Sequence, residues 1–281
     1  MAKRRKLTEE HLARFSRHLA LQERSAATME KYLRDAGAFA AFMAGADVTR
    51  ERVLAYKQHL QQRYAVRSVN SILASLNGLF ACLGWQELRV KSLRMQRQVF
   101  CPEEKELTRA EYARLCKTAK RRHNHRTRLL LQALCGTGIR VSELRYITVE
   151  AARQGVAVVQ CKGKVREIFI VEDLAKMLLR YAAERGIRSG MVFVTRTGRP
   201  MSRVAVWRAL KALCKDAGVR AEKVFPHNLR HLFARVFYSM EKDIARLADI
   251  LGHSSISTTR LYVISTGAEH RRQMEHMRLI L

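Results

Sequence analysis

Proline and glycine are scarce in this chain of 281 residues, at 3 and 14. Little interrupts a helical period, so the expected fold class is mainly α. The six cysteines, at 82, 101, 116, 135, 161 and 214, form no C-x-x-C pair and no His/Cys cluster with metal spacing. They read as free thiols in a reducing cytosol. No uncharged apolar run approaches the roughly 20 residues of a membrane span. The basic start MAKRRK is followed by the charged LTEEHLAR rather than by the apolar stretch of a signal peptide. These absences imply a soluble, cytoplasmic protein with no membrane partner. A G-x-x-x-x-G-K-[ST] phosphate loop is also missing. No carboxylate cluster suits two metals, which argues against a metal-dependent nuclease. Neither cofactor nor metal is expected.

Acidic residues are few as well. Lys and Arg number 53 against 25 Asp and Glu, a formal net charge of +28. Residues 1–100 carry a net +10 and residues 101–281 a net +18, so the excess runs along the whole chain. Such a surface attracts polyanions, and both halves are expected to face nucleic acid.

Four amphipathic helices are expected in the first ninety residues. Thr8 caps the first, through about Gln22, and Ser25 to Phe42 forms the second. Thr49 caps a third, and Ser68 opens a fourth that runs to Leu83 and ends at Gly84. Together they make a small bundle. Between about residues 89 and 102 the period fails while Arg89, Lys91, Arg94 and Arg97 recur, which reads as a cationic linker. A capping box, Thr108 to Glu111, opens a second domain. A buried helix around Leu129 to Leu134 ends in Gly136-Thr137-Gly138, and Val141 to Tyr146 starts another. The period then changes to two. Residues 156–160 and 167–171 flank Cys161-Lys162-Gly163-Lys164 as a β-hairpin, and Met191 to Thr195 is a candidate third strand. Helices resume at Ser202. The organisation expected is a helical DNA-binding domain at 1–90, a basic linker at 91–105 and an α+β catalytic domain at 106–281.

Three islands carry the chemistry. They are Thr137-Gly-Ile-Arg140-Val-Ser-Glu143-Leu, then Pro226-His227-Asn-Leu-Arg230-His231, then Leu251-Gly-His253 with Tyr262 nine residues later. Singly, Arg140 could be a surface arginine paired with Glu143, His227 a helix-terminus residue and Tyr262 a half-buried aromatic. Together, and in this order, they resemble the tyrosine recombinase (phage integrase) family. Its members carry an arginine in a T-G-x-R-x-x-E-L context, a hairpin lysine, H-x-L-R-H, and L-G-H ahead of a tyrosine. The run Ser25, Thr28, Tyr32, Asp35, Phe39 and Phe42 looks more loosely like the family's core-binding bundle.

A phosphodiester under attack gathers negative charge on its nonbridging oxygens. Arg140 and Arg230 suit that demand, because a guanidinium stays protonated and grips phosphate in a bidentate fork. Tyr262 is the nucleophile implied. A phenol with a pKa of about 10 is about one part in a thousand ionised at neutral pH, so it needs a base or a strongly positive site. His227 is the candidate base or proton relay, and His253 would bind or position the phosphate. Glu143 would orient Arg140 or cap the local fold.

The resemblance implies further that tyrosine takes the 3′ phosphate and frees a 5′ hydroxyl, whose proton comes from a hairpin lysine. Aligning Cys161-Lys-Gly with the family's G-K-G gives that role to Lys162, with Lys164 as the competitor. Bond energy held in the phosphotyrosine would be reused for religation. The implied partners are double-stranded DNA with a specific recombination site and further copies of the chain, as a tetramer on two duplexes clamped by both domains. The apolar tail at Met274, Met277, Leu279, Ile280 and Leu281 would pack either on its own subunit or, as the family implies, on a neighbour. The short stretch ahead of the bundle leaves no room for an arm-binding domain, which suits a Xer-like or small mobile-element enzyme. A type IB topoisomerase and a binding protein with a vestigial site are the competing readings.

Overall fold

A computed structural model describes residues 5–94, 103–161, 164–263 and 275–276. The chain divides into two compact units, Met1–Arg97 and Gln98–Leu281.

The first unit holds four helices, α1 (Glu9–Leu21), α2 (Ala26–Met43), α3 (Arg50–Arg63) and α4 (Val66–Leu83). Thr8 and Thr49 cap α1 and α3 through their hydroxyls, as the sequence indicates. α4 begins two residues ahead of Ser68, with Ala65 at the cap and no side-chain hydrogen bond there. Tertiary burial of Val69, Leu73, Leu76, Leu79 and Phe80 holds that helix start where no capping side chain does. By length and composition α4 would pass for a membrane-spanning helix, contrary to expectation. Its apolar face instead meets Phe39, Val53, Tyr56 and Leu60 in the bundle core. After Gly84 the chain folds back onto α4. Asn77 donates to and accepts from the Val90 backbone, and Asn70 does the same with Leu93, at 2.7 to 2.9 Å. The described part of the stretch expected as a linker thus begins with residues pinned to the bundle.

The second unit is built around α6 (His125–Thr137), whose Leu130, Leu131, Ala133 and Leu134 are buried. α5 (Arg109–Arg121) precedes it, opened by the expected Thr108–Glu111 capping box. Residues Val141–Tyr146 form a 3-10 turn where a further α-helix was expected, and α7 (Val149–Gln154) follows. β1 (Val156–Cys161) and β2 (Lys164–Phe169) pair antiparallel, with Val159 opposite Arg166 and Cys161 opposite Lys164. The second strand thus starts three residues earlier than the sequence pattern suggests, because Val165 and Arg166 continue the ladder to the turn. Met191 to Thr195 adds only isolated bridges, Thr148 to Met191 and Val194 to Pro200, so among the described residues the sheet has two strands. α8 (Glu172–Glu184), α9 (Arg203–Lys211), α10 (Cys214–Ala217), α11 (Pro226–Glu241), α12 (Ile244–Leu251) and α13 (Ile256–Arg260) complete the unit. α6 packs against α5, α8, α9 and α11, which sets the ends of α6 and α11 side by side.

Candidate active site

The site forms where the C-terminal ends of α6 and α12 meet the N-terminal part of α11. α6 stops at Gly138, which takes φ +63°, the left-handed conformation that costs glycine little. A side chain there would also collide with Phe233, whose ring carbon would lie 2.5 Å from the added Cβ. The sharp exit swings Arg140 back over the helix end. Its backbone N–H and its guanidinium both donate to Glu143, at 2.9 Å each. Burial alone would raise the Glu143 carboxyl, but the Arg140 backbone and the Arg140 and Arg166 guanidinia outweigh it and hold the pKa low.

Pro226 occupies the first turn of α11, where its missing N–H costs nothing. His227, Arg230 and His231 stand at i, i+3 and i+4, on one face of that helix. Arg230 is 1% exposed. Its guanidinium donates to Gly138 O and Leu251 O at 2.6 Å each, while Nε finds no hydrogen-bond partner among the described atoms. Burial, then the Arg140 charge, lowers its pKa to about 10, so it remains a cation at neutral pH.

α12 ends at Gly252, also left-handed at φ +62°. Three successive carbonyls at this end would lack helical partners. Each accepts from a different arginine: Ile250 O from Arg166, Leu251 O from Arg230 and Gly252 O from Arg140. The negative end of the helix dipole and the Glu143 carboxylate offset the mutual repulsion of three clustered guanidinia.

His253 follows directly. Its Nε2 lies 3.0 Å from an Arg230 nitrogen and its Nδ1 2.8 Å from Thr259 Oγ1. Guanidinium only donates, so Nε2 accepts and the proton sits on Nδ1, which donates to Thr259. Tyr262, 7% exposed, lies two residues beyond α13 and is ringed by imidazoles. Its ring stacks on His231, with centroids 4.1 Å apart and planes 25° apart. The rings of His253 and His227 lie 4.8 and 5.2 Å away, and the Arg230 guanidinium carbon is 5.8 Å from the phenol centroid. Burial first, then neighbouring cations or imidazoles, depresses all three histidines. His231 and His253 fall to about 4, and His227 falls below its usual value. The imidazoles are therefore neutral at pH 7, and the site's positive charge comes from the arginines.

The structure brings together Arg140, His227, Arg230, His253 and Tyr262. Lys162 lies outside the described residues, as does most of the tail beyond Val263, including Met274, Met277, Leu279, Ile280 and Leu281. Lys164 opens β2, its backbone paired with Cys161. Sequence reasoning gave no role to His231 or Arg166. For Arg166 the signal was present: strand alternation turns it to the same side as Ile168, where an arginine needs an anionic partner. Among the described residues no group of three or more His, Cys, Asp and Glu side chains is arranged to hold a metal ion.

Residues 105–269 match the Phage integrase family, and residues 12–87 match the Phage integrase N-terminal SAM-like domain. Tyrosine recombinase XerA of Pyrococcus furiosus is 30% identical over 284 residues, covering 98% of this chain and 96% of its own. A crystal structure of XerA recombinase aligns with a TM-score of 0.56 at 25% identity, over 98% of this chain and all of that one. A lambda integrase dimer bound to a COC′ core site aligns at 0.75 and 19% identity, over 94% of this chain and 97% of that one.

Proposed function

This chain belongs to the phage integrase family of tyrosine recombinases, and from that premise we propose that it cuts and rejoins DNA through a covalent bond between Tyr262 and a 3′ phosphate. The observation that supports this most is a phenol ringed by neutral imidazoles beside two guanidinia. Arg140 and Arg230 hold the nonbridging oxygens of the scissile phosphate, and Arg230 Nε is a buried donor left without a hydrogen-bond partner among the described atoms. Neutral His227 takes the Tyr262 proton as the phenol oxygen attacks phosphorus. The 5′ oxygen leaves with a proton from Lys162. Religation reverses these steps and restores the phenol, so no external energy source is consumed. His253, held by Arg230 and Thr259, keeps the phosphate pocket in register.

The substrate is double-stranded DNA carrying a recombination site, and the protein acts on it in the cytoplasm. Helical residues 1–90 and the catalytic residues 106–281, joined by the basic stretch 91–105, each supply cationic surface to the duplex. Lambda integrase is described as a dimer bound to a core site and as a tetramer bound to a Holliday junction. A tetramer on two duplexes, linked by exchanged C-terminal tails, is the corresponding assembly here. Relatives named as tyrosine recombinases over nearly the whole chain favour this reading over a topoisomerase or a binding-only protein.

The test begins with a random duplex pool, from which the protein selects its site. Nicks are then tiled across that site so that cleavage releases a short fragment and cannot reverse. The wild-type protein should form a denaturant-resistant adduct with one of these duplexes, and Tyr262→Phe should bind equally well and form none. An adduct from the Phe variant would reject Tyr262 as nucleophile.

A further inference from the structure

Arg166 belongs to none of the three sequence islands, yet it bonds to the first through Glu143 and to the carbonyl of Ile250 beside the third. From β2 its Nη2 donates to Glu143 Oε2 at 2.6 Å, and its Nη1 donates to Ile250 O at the end of α12. Glu143 takes Arg140 on its other oxygen at 2.9 Å, and Arg140 in turn donates to Gly252 O at 3.2 Å. The circuit runs from Arg166 to Glu143, to Arg140, to Gly252, and back through two residues of chain to Ile250. Its members come from three elements separated by 23 and 84 residues in sequence.

The arginine is also packed into place. Its side chain is 13% exposed, while that of Glu143 is 3% exposed. A Cβ on Gly252 would lie 2.6 Å from Arg166 Cδ and 2.8 Å from Nε, so the absence of a side chain at Gly252 is what admits the guanidinium. Two of its charge-assisted bonds meet a buried carboxylate and a helix-end carbonyl, partners that no neutral side chain of that length replaces together.

We propose that Arg166 is a positioning residue for the reaction. It sets Arg140, through Glu143, at a fixed distance from the Gly252–His253 corner, so that the groups holding the phosphate are in register before DNA arrives. Arg166 makes no bond to the phosphate in this account and acts through its two neighbours. The inference rests on the proposed recombinase chemistry, and the wild-type adduct reports on that chemistry separately. If wild-type protein forms no adduct, the reading of function fails first.

The experiment compares wild-type, Arg166→Gln and Arg166→Lys proteins in single-turnover cleavage of the nicked duplex, alongside DNA affinity and melting temperature. A displaced clamp should lower the Gln variant's cleavage rate by about 10²-fold, with DNA affinity changed less than about threefold. Lys keeps a charge beside Glu143 but lacks the fork that also reaches Ile250, so it should melt near wild type and cleave at an intermediate rate. A second substrate separates routes. Replacing the bridging 5′ oxygen at the scissile position by sulfur gives a leaving group that needs no acid, since a thiol has a pKa of about 8.5. The defect should persist on that substrate, because the clamp remains misplaced. Restoration of the wild-type rate by sulfur would show that Arg166 serves the proton donor instead and would overturn the proposal. So would an Arg166→Lys protein that cleaves the ordinary duplex at the full rate. Should Arg166→Gln fail to fold, the Lys variant and the two substrates still decide the matter.

Discussion

The guanidinium of Arg230 donates to Nε2 of His253 at 3.0 Å, which fixes the histidine's proton on the opposite ring nitrogen. Thr259, 2.8 Å from Nδ1, takes that proton's hydrogen bond. An imidazole so held between a donor and an acceptor presents no N–H to Arg230 and stays neutral.

Nitrogen-15 spectra of the free protein at pH 7 should accordingly show His253 as the Nδ1-protonated neutral tautomer. Thr259→Val should weaken that preference by removing the acceptor. An imidazolium signal for His253 at pH 7 would contradict the arrangement.

Stability should depend on pH through the same residues. In the unfolded chain histidine titrates near pH 6.5, whereas folded His231 and His253 bind protons only near pH 4. Between those values the unfolded state holds more protons, so stability rises with pH. The contribution is complete above about pH 6.5 and fades as pH falls towards 4. Urea midpoints measured from pH 7 down to pH 5 should decline. His231→Phe, which keeps a ring against Tyr262 without a titrating nitrogen, should flatten the decline. An unchanged slope in that variant would remove His231 from the explanation.

Arg230 should tolerate lysine poorly. A single ammonium cannot reach Gly138 O, Leu251 O and a phosphate together. Arg230→Lys is expected to slow single-turnover cleavage by about 10²- to 10³-fold. DNA affinity, which draws on many contacts, should fall far less, and equal losses in both would point to a collapsed fold.

The charge of the whole chain predicts a steep response to salt. With many Lys and Arg contacts to phosphate, binding should weaken by about 10³-fold or more between 50 and 200 mM salt. Titrations at four salt concentrations measure the slope, and a nearly flat line would contradict binding through many phosphate contacts.

Helix positions were largely legible because their signals are local. Thr8, Thr49, Thr108 and Ser202 each cap the helix they precede. The start of α4 was not legible at Ser68, since burial of one apolar face decides that boundary and no cap marks it. The site residues were readable as motifs, but their mutual restraint was not. Arg166 and Glu143 are 23 positions apart, and only the hairpin register and the end of α12 reveal that they meet. The stacking of His231 on Tyr262 likewise depends on how α13 returns towards α11, which no local pattern encodes.

The reaction turns on one bond, between Tyr262 and the 3′ phosphate. Protein trapped on the nicked duplex would be digested with protease and nuclease, and the nucleotide-bearing peptide sequenced by mass spectrometry. The account predicts a single modified residue, Tyr262, joined to the 3′ phosphate, with a free 5′ hydroxyl on the released strand that polynucleotide kinase labels. A nucleotide on any other residue, or a released strand carrying a 5′ phosphate, would contradict it.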